Sequence, residues 1–167
     1  ENERCLLTSG KSRFTLGTLP SEDYTSLGNP ENITALTISR SRLIDLIHKT
    51  QFAMAIQDVR YYLTGMLFDV SQQQLTTVAT DGHRLALARS VIDIDSDLNM
   101  QAILPRKAVI ELERLATELG KMLGDKDNNV TLSFGREFLQ VSLPFGEVDS
   151  TGQVSTDLMV TFTARLI

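Results

Sequence analysis

The sequence predicts an α+β domain in which two amphipathic helices pack on antiparallel β-sheet. Two segments, beginning near Ser39 and Pro105, repeat apolar residues at helical spacing. Most of the remaining chain consists of short runs with apolar and polar residues in alternation, separated by turn-forming residues. Two helices are too few to supply the crossover connections of a parallel sheet, so we expect the strands to pair in antiparallel fashion.

The chain opens with a predicted strand and a connector. Residues 13–19, RFTLGTL, alternate apolar and polar side chains as a half-buried strand does. Residues 20–32, PSEDYTSLGNPEN, are rich in Pro, Gly, Asn and acidic residues. Such a composition favours a connector, which makes this stretch the best candidate for a domain boundary.

A short strand at residues 33–38 leads into the first predicted helix, for which Ser39 is the expected N-cap. The helix should bury one apolar stripe and leave a polar side that is net positive. The expected stripe is Leu43, Leu46, Ile47 and Ala53 or Met54. The polar side carries Arg40, Arg42 and Lys49 against Asp45.

Three strand-like runs follow in close succession, at residues 59–70, 74–80 and 84–90, and predict an antiparallel meander. An acidic loop and a strand at residues 100–105 come next. Pro105 then suits the first turn of the second helix. Its expected stripe is Ala108, Leu112, Leu115 and Leu119, and its charged residues are Arg106, Lys107, Arg114 and Lys121 against Glu111, Glu113 and Glu118.

The last part of the chain reads as strands again. Residues 129–134 and 137–143 flank a Gly135-Arg136 turn, and residues 158–167 form a closing strand. The two halves of the domain share a strand-helix-strand-strand plan without convincing sequence identity, so an internal repeat is only weakly indicated.

Composition narrows the classes of protein. The hydrophobic fraction of 42% and the charged fraction of 22% are typical of a globular chain. The single Cys5 excludes an internal disulfide framework and favours the cytoplasm, and no apolar run approaches the roughly 18 residues that span a bilayer. The net charge of -5 argues against a surface that binds nucleic acid on all sides, although one basic face remains possible.

The cluster TDGHR at residues 80–84 is the first place to look for catalysis. Asp81, His83 and Arg84 could supply an acid, a base and an anion-binding group. The alternative is that Asp81-Gly82 makes the turn of a hairpin, because both residue types tolerate a positive φ. No second motif supports catalysis, since the only other histidine, His48, falls on the polar surface of the first helix.

Metal and cofactor sites find little support. Asp93, Asp95 and Asp97 are spaced like the first ligands of a calcium loop, but Leu98 stands where glycine should turn the loop and Leu104 where a glutamate should close it. No glycine pattern of a nucleotide-binding loop occurs. We therefore expect no metal and no cofactor. A basic and aromatic patch, Arg60-Tyr61-Tyr62, could contact nucleic acid or a peptide, with one tyrosine in the core if the segment is a strand.

Several stretches together resemble one known family. QDVRYYLTGMLFDV (57–70), VATDGHRLALA (78–88) and LPRKAVIEL (104–112) are similar to the middle domain of the bacterial DNA sliding clamp, the β subunit of DNA polymerase III. RFTLGTLPSEDY (13–24) resembles the closing strands of that protein's first domain. The resemblance implies that residues 1–32 end the first clamp domain and its linker, and that 33–167 form the middle domain without its last segment.

The family resemblance also implies a function. Two clamp subunits join head to tail into a ring of six domains, whose helices face duplex DNA and whose sheets form the outside. The protein is then a non-catalytic processivity factor that binds DNA without reading its sequence and docks DNA polymerase III, the clamp loader and other proteins. Alternatives are a stand-alone peptide-binding or regulatory domain with the clamp fold and, more remotely, a small hydrolase that uses Asp81 and His83.

The resemblance assigns individual residues of this chain to the family's peptide groove and DNA-facing surface. The middle-domain half of the groove resembles Leu63, Thr80, Gly82, His83, Arg84 and Leu85. Gln57, Arg60, Tyr61 and Tyr62 correspond to a face that DNA approaches. Helix position alone suggests Arg40, Arg42, Lys49, Arg106, Lys107 and Arg114 for the channel wall.

Three departures from the family pattern qualify the resemblance. The chain stops before the family's Asp-Gly-x-Phe-Pro-Asp-Tyr segment, so the other half of the groove is missing. It also starts inside the first domain, and we expect such a fragment to be a monomer. Residues 142–157 exceed the family's usual connection and are expected to form an exposed loop.

Overall fold

The computed structural model describes residues 4–23, 33–94, 98–123, 129–145 and 158–167. Within these ranges the strands are β1 Arg4–Ser9, β2 Ser12–Gly17, β3 Thr34–Ser39, β4 Gly65–Ser71, β5 Gln74–Thr80, β6 Leu85–Val91, β7 Met100–Pro105, β8 Asn129–Phe134, β9 Phe138–Phe145 and β10 Leu158–Arg165. The α-helices are α1 Arg40–Thr50 and α2 Arg106–Leu123. Short 3-10 helices cover Ser21–Asp23, Gln51–Ala53 and Tyr61–Thr64.

Strands β3 to β10 form two four-stranded sheets that are antiparallel throughout. Their strand orders are β10-β9-β8-β3 and β6-β5-β4-β7. The order along the chain contains the same unit twice, since β3-α1-β4-β5-β6 is followed by β7-α2-β8-β9-β10. The first strand of each unit joins the sheet of the other unit, because β3 pairs with β8 and β7 pairs with β4. The predicted fold class is confirmed, with two sheets and an internal structural repeat.

Both helices bury one side against the sheets. Helix α1 buries Leu43, Leu46 and Ile47 as predicted, together with Thr50 at its last turn. The prediction for α2 was wrong by one residue at two positions, because Val109 and Ala116 are buried where Ala108 and Leu115 were expected. Ala108 and Leu115 are partly buried beside them, so the helix is rotated slightly from the predicted face. Leu112 and Leu119 belong to the core, as expected.

The start of α1 differs from the prediction in two respects. Ser39 is the N-cap residue, but its side chain makes no capping hydrogen bond. Arg40 is only 8% exposed, and a methyl group at Gly120 of α2 would lie 3.1 Å from its Cζ. Arg40 therefore packs against α2 and is largely buried, which makes it the least accessible of the basic residues suggested for the channel wall.

The segment 59–70, predicted as one strand, contains two elements. Tyr61–Thr64 is a 3-10 helix, in which the Leu63 amide donates to the Arg60 carbonyl at 2.9 Å and the Thr64 hydroxyl donates to the Tyr61 carbonyl at 2.6 Å. Strand β4 begins only at Gly65. The two tyrosines are 67% and 49% exposed, so the prediction that one of them enters the core was wrong.

Strands β1 and β2 form a separate hairpin around Gly10, whose φ is 58°. Every residue of both strands is exposed. Strand β1 was not predicted, since only its partner shows the alternating pattern clearly. The connector beyond Asp23 lies outside the described residues.

Two further predictions fall partly outside the described ranges. Asp95 and Asp97 of the candidate calcium loop fall outside them, as do residues 146–157 of the predicted long loop. Residues 142–145 of that loop are instead part of β9. No helix among the described residues is long and apolar enough to cross a membrane.

Candidate functional site

The candidate site lies at one end of the sheet β6-β5-β4-β7. Thr80, the last residue of β5, pairs with Leu85, the first residue of β6. In the pairing of β4 with β5, Leu67 lies opposite Val78. Continuing this register by two residues places Gly65 opposite Thr80. Leu63 precedes Gly65 by two residues and is half-buried, while Leu85 is 64% exposed. The strands thus bring Leu63, Thr80 and Leu85 to the same end of the sheet, as the predicted groove wall requires.

The turn between β5 and β6 is fixed by its own side chains. The Thr80 hydroxyl donates to the Arg84 carbonyl at 2.7 Å and accepts from the Gly82 amide at 3.1 Å. Oδ1 of Asp81 accepts the amides of His83 and Arg84, each at 3.0 Å. Gly82 has a φ of 88°, a conformation that a residue with a Cβ rarely adopts. The predicted turn at Asp81-Gly82 is confirmed, and its backbone is tightly determined.

Arg84 connects this turn to the end of α1. Its Nε donates to Oδ2 of Asp81 at 3.0 Å, and its Nη2 donates to the Phe52 carbonyl at 2.6 Å. The guanidinium carbon lies 5.6 Å from the centroid of the exposed Phe52 ring, within the range of a cation–π contact. The amides of His83 and Arg84, followed by the Arg84 side chain, lower the pKa of Asp81.

A second turn of similar design faces the first. The carboxylate of Asp58 accepts the Arg60 amide at 2.8 Å, and it accepts Nε and Nη2 of the same arginine at 3.0 and 2.9 Å. The side-chain hydrogen bonds from Arg60, followed by its backbone amide, lower the pKa of Asp58 to about 2. A methyl group at Gly82 would lie 3.3 Å from Nη2 of Arg60. The two turns are therefore in close contact.

A cavity of about 430 Å³ opens between these turns, lined by residues 54–58, Arg60, Asp81, His83 and Arg84. It brings Gln57 and Arg60, which were predicted for the DNA face, together with His83 and Arg84 of the predicted peptide groove. Leu63, Thr80 and Leu85 do not line this cavity. Tyr61 and Tyr62 also lie outside it and contact each other edge to face, with ring centroids 6.1 Å apart.

Most of the basic residues expected on the channel wall have a partner. Lys49 donates to Asp45 at 2.6 Å, and Arg114 bonds to both Glu111 and Glu118. Arg42 and Arg106 instead donate to main-chain carbonyls in other segments of the chain. Arg42 donates to the Val91 carbonyl at 3.3 Å, the partly buried Arg106 donates to the Met54 carbonyl at 3.1 Å, and Lys107 is exposed.

The geometry gives no support to catalysis at the turn. The carboxylate of Asp81 accepts from the backbone amide of His83, whereas an acid–base pair would need the imidazole. Among the described residues, no three His, Cys, Asp or Glu side chains are grouped to hold a metal ion.

Sequence reasoning missed two residues of this site, Phe52 and Asp58. Asp58 could have been found, because an aspartate in a turn often accepts the backbone amide two residues further along the chain. The same signal occurs in Asp81-Gly82-His83-Arg84. Phe52 left no local signal, since its carbonyl meets Arg84 across a separation of 32 residues.

The comparison with known proteins decides the family. The sequence model of the DNA polymerase III beta subunit, central domain, matches residues 37–156. The chain belongs to this family. The β subunit is the bacterial sliding clamp, so the resemblance seen in the sequence is confirmed.

Individual relatives agree with this assignment. The beta sliding clamp of Pseudomonas aeruginosa is 39% identical over all 167 residues, and that of Escherichia coli K12 is 45% identical over 135 residues, which is 81% of the chain. The matches cover 40% and 35% of those two proteins. The chain thus spans about 40% of the length of the Pseudomonas clamp.

Crystal structures show the same fold. The DNA polymerase III subunit beta from Pseudomonas aeruginosa superposes with a TM-score of 0.79 over the whole chain and 40% of its own length. The sliding clamp from Bacillus subtilis, 28% identical, gives a TM-score of 0.75 over the whole chain and 39% of its own length.

Proposed function

We propose that this chain forms part of a bacterial sliding clamp, with residues 1–32 ending the first domain and residues 33–167 forming the middle domain. The full-length protein would assemble head to tail into a ring around duplex DNA in the cytoplasm. There it would hold DNA polymerase III to its template and dock the clamp loader and other proteins. The family assignment and the twice-repeated strand-helix unit support this proposal.

One wall of the peptide groove is the part of this function that the chain itself can supply. The observation that carries it is the sheet end at which Leu63, Thr80 and Leu85 meet a backbone-fixed turn with an exposed glycine. Leu63 and Leu85 offer apolar area for a docked side chain, and Gly82 permits close approach of a peptide. His83 is exposed and provides a polar edge.

The helices are the proposed DNA-facing elements. Together α1 and α2 carry seven basic and four acidic residues, whereas the whole chain has 16 basic and 21 acidic ones. The helices therefore have a net charge of +3 and the rest of the chain has -8, which concentrates positive charge where phosphates would pass. We retain Arg42, Lys49, Arg106, Lys107 and Arg114 for this role, with Gln57, Arg60, Tyr61 and Tyr62 at the ring face, and leave out the buried Arg40.

Peptide titration tests the groove. A labelled clamp-binding peptide is titrated onto this chain and onto the full-length protein that contains it. We expect clear binding to the full-length protein and weak or no binding to the chain, because the groove needs a second wall from the third domain. Leu63→Asp should lower the full-length affinity by about 30-fold or more, since a carboxylate would be buried in an apolar contact.

The matched control is Ile110→Asp, an apolar-to-acid change at an exposed position on α2. It should leave peptide affinity within about twofold of the wild type, because Ile110 does not line the cavity between the two turns and a surface change outside the site costs little. Tight peptide binding that is insensitive to Leu63→Asp would refute the proposed wall.

A further inference from the structure

We infer that Asp81 and Arg84 are positioning residues of the peptide-facing wall: their ion pair anchors the β5–β6 turn to the main chain of Phe52. This inference rests on the proposed peptide groove and deepens it. The sequence suggested Arg84 as an anion-binding group and as part of the groove. In the structure, that charge is paired with Asp81 of the same turn.

The bonds of Arg84 carry the first step of the argument. One side of the guanidinium, Nε, donates to Asp81, and Nη2 donates to the Phe52 carbonyl at 2.6 Å. One face of the same group lies over the Phe52 ring. Two of its three nitrogens and one of its faces are therefore engaged within the protein, and the adjacent carboxylate neutralises its charge. A docked peptide would gain little from approaching such a paired cation.

The connectivity of the turn carries the second step. Thr80 and Asp81 fix the backbone of residues 81–84 internally, which sets its shape but not its tilt relative to the helices. Among the hydrogen bonds of the described residues, the bond from Arg84 to Phe52 alone ties this turn to another element. Phe52 belongs to the 3-10 helix Gln51–Ala53, which directly continues the buried end of α1. Arg84 thus fixes the position of the turn relative to the end of α1.

The opposite side of the turn is held by contact. Gly82 lies against the guanidinium of Arg60. Asp58 accepts two hydrogen bonds from this guanidinium and a third from the Arg60 backbone amide. Loss of the Arg84 anchor would let the turn tilt about its two strand ends, away from this support. Since Leu85 follows Arg84 directly, such a tilt would move an apolar residue of the proposed groove. Arg84 and Asp81 therefore act on the peptide through Leu85 and Gly82.

The positioning role and a direct charge role make opposite predictions for Asp81→Asn. If Arg84 offered its charge to the peptide, removal of its neutralising partner would leave affinity unchanged or increase it. If the ion pair anchors the wall, the same substitution weakens binding, although Asn keeps an oxygen that can accept the turn amides. Arg84→Lys separates the two roles again, because lysine keeps the charge but cannot bond to Asp81 and Phe52 as a planar fork.

The test measures peptide affinity and dissociation rate for the full-length protein at several salt concentrations, with thermal midpoints recorded for every variant. We expect Asp81→Asn, Arg84→Lys and Arg84→Gln each to weaken the complex about tenfold, mainly through faster dissociation, with the salt dependence of the wild type. Asp69→Asn is the matched control. Asp69 accepts hydrogen bonds from Ser71 and Gln101 near the other end of β4, and its substitution should change affinity less than about twofold.

The outcomes separate this inference from the proposed function. Wild-type affinity or tighter binding in Asp81→Asn, or full rescue by Arg84→Lys where Arg84→Gln fails, would overturn the positioning role and leave the groove standing. Absence of peptide binding by the folded wild-type protein would overturn both. A weakened Arg84→Lys at unchanged thermal midpoint and unchanged salt dependence supports the anchor.

Discussion

At the scale of single residues, the site depends on two aspartates that each organise a turn around an arginine. Asp58 and Asp81 accept the amides that follow them and also bond to the side chain of Arg60 or Arg84. The local half of this arrangement is visible in the sequence, because the spacing of aspartate and arginine is short. The other half is not visible, since the Phe52 carbonyl and the Gly82–Arg60 contact depend on how distant segments meet.

The pKa of Asp58 gives a prediction at this scale. Its hydrogen bonds from Arg60 lower the pKa to about 2, so the carboxylate stabilises the turn at all pH values above its ordinary range. That contribution should be lost as the pH falls from about 4 to about 2, because the unfolded chain takes up the proton first. NMR of the Asp58 carboxyl carbon measures the midpoint directly. In Arg60→Gln the midpoint should rise toward the ordinary range near pH 4, and an unchanged midpoint would show that Arg60 is not the cause.

At the scale of elements, the sequence predicts the regular helices and strands but misses irregular turns. Strand β5 has the bounds that its residue pattern predicts, and both helices occur where expected. The 3-10 helix Tyr61–Thr64 was missed because its residues have strand propensity, while hydrogen bonds from Leu63 and Thr64 close a tight turn. The turn Gln72-Gln73 was also not foreseen, since both residues take a positive φ without being glycine.

Gly65 supplies a prediction for an element boundary. It begins β4 beside β7, and a methyl group there would lie 2.6 Å from Cγ2 of Ile103 and 2.8 Å from the Leu104 carbonyl oxygen. The carbonyl belongs to a paired strand and cannot move aside, so Gly65→Ala should destabilise the fold by about 1–3 kcal/mol. Urea or thermal unfolding measures the loss. Gly17→Ala in β2, where no atom lies within 4 Å of the added methyl group, should change stability by less than about 0.5 kcal/mol.

At the scale of the whole molecule, the repeated unit explains why two helices suffice for two sheets. Each unit contributes one helix and three consecutive strands, and it lends its first strand to the sheet of the other unit. Neither unit can complete a four-stranded sheet alone, because each sheet takes one strand from a distant segment of the chain. The sequence suggested the plan through the order of its elements, but it contained no sign of the exchange of β3 and β7.

The charge distribution leads to a prediction for DNA binding by the assembled protein. Lys49 and Arg114 on the helices are already paired with acids, so two of the five proposed helix cations are less available to displace counterions from phosphates. Retention on DNA should therefore come from closure of the ring rather than from affinity. Full-length protein assembled on circular plasmid by its loader should stay bound through gel filtration and be lost when the plasmid is cut once. The isolated chain, which we expect to be monomeric, should be retained on neither form, and salt-resistant binding of the chain to linear duplex would contradict the mechanism.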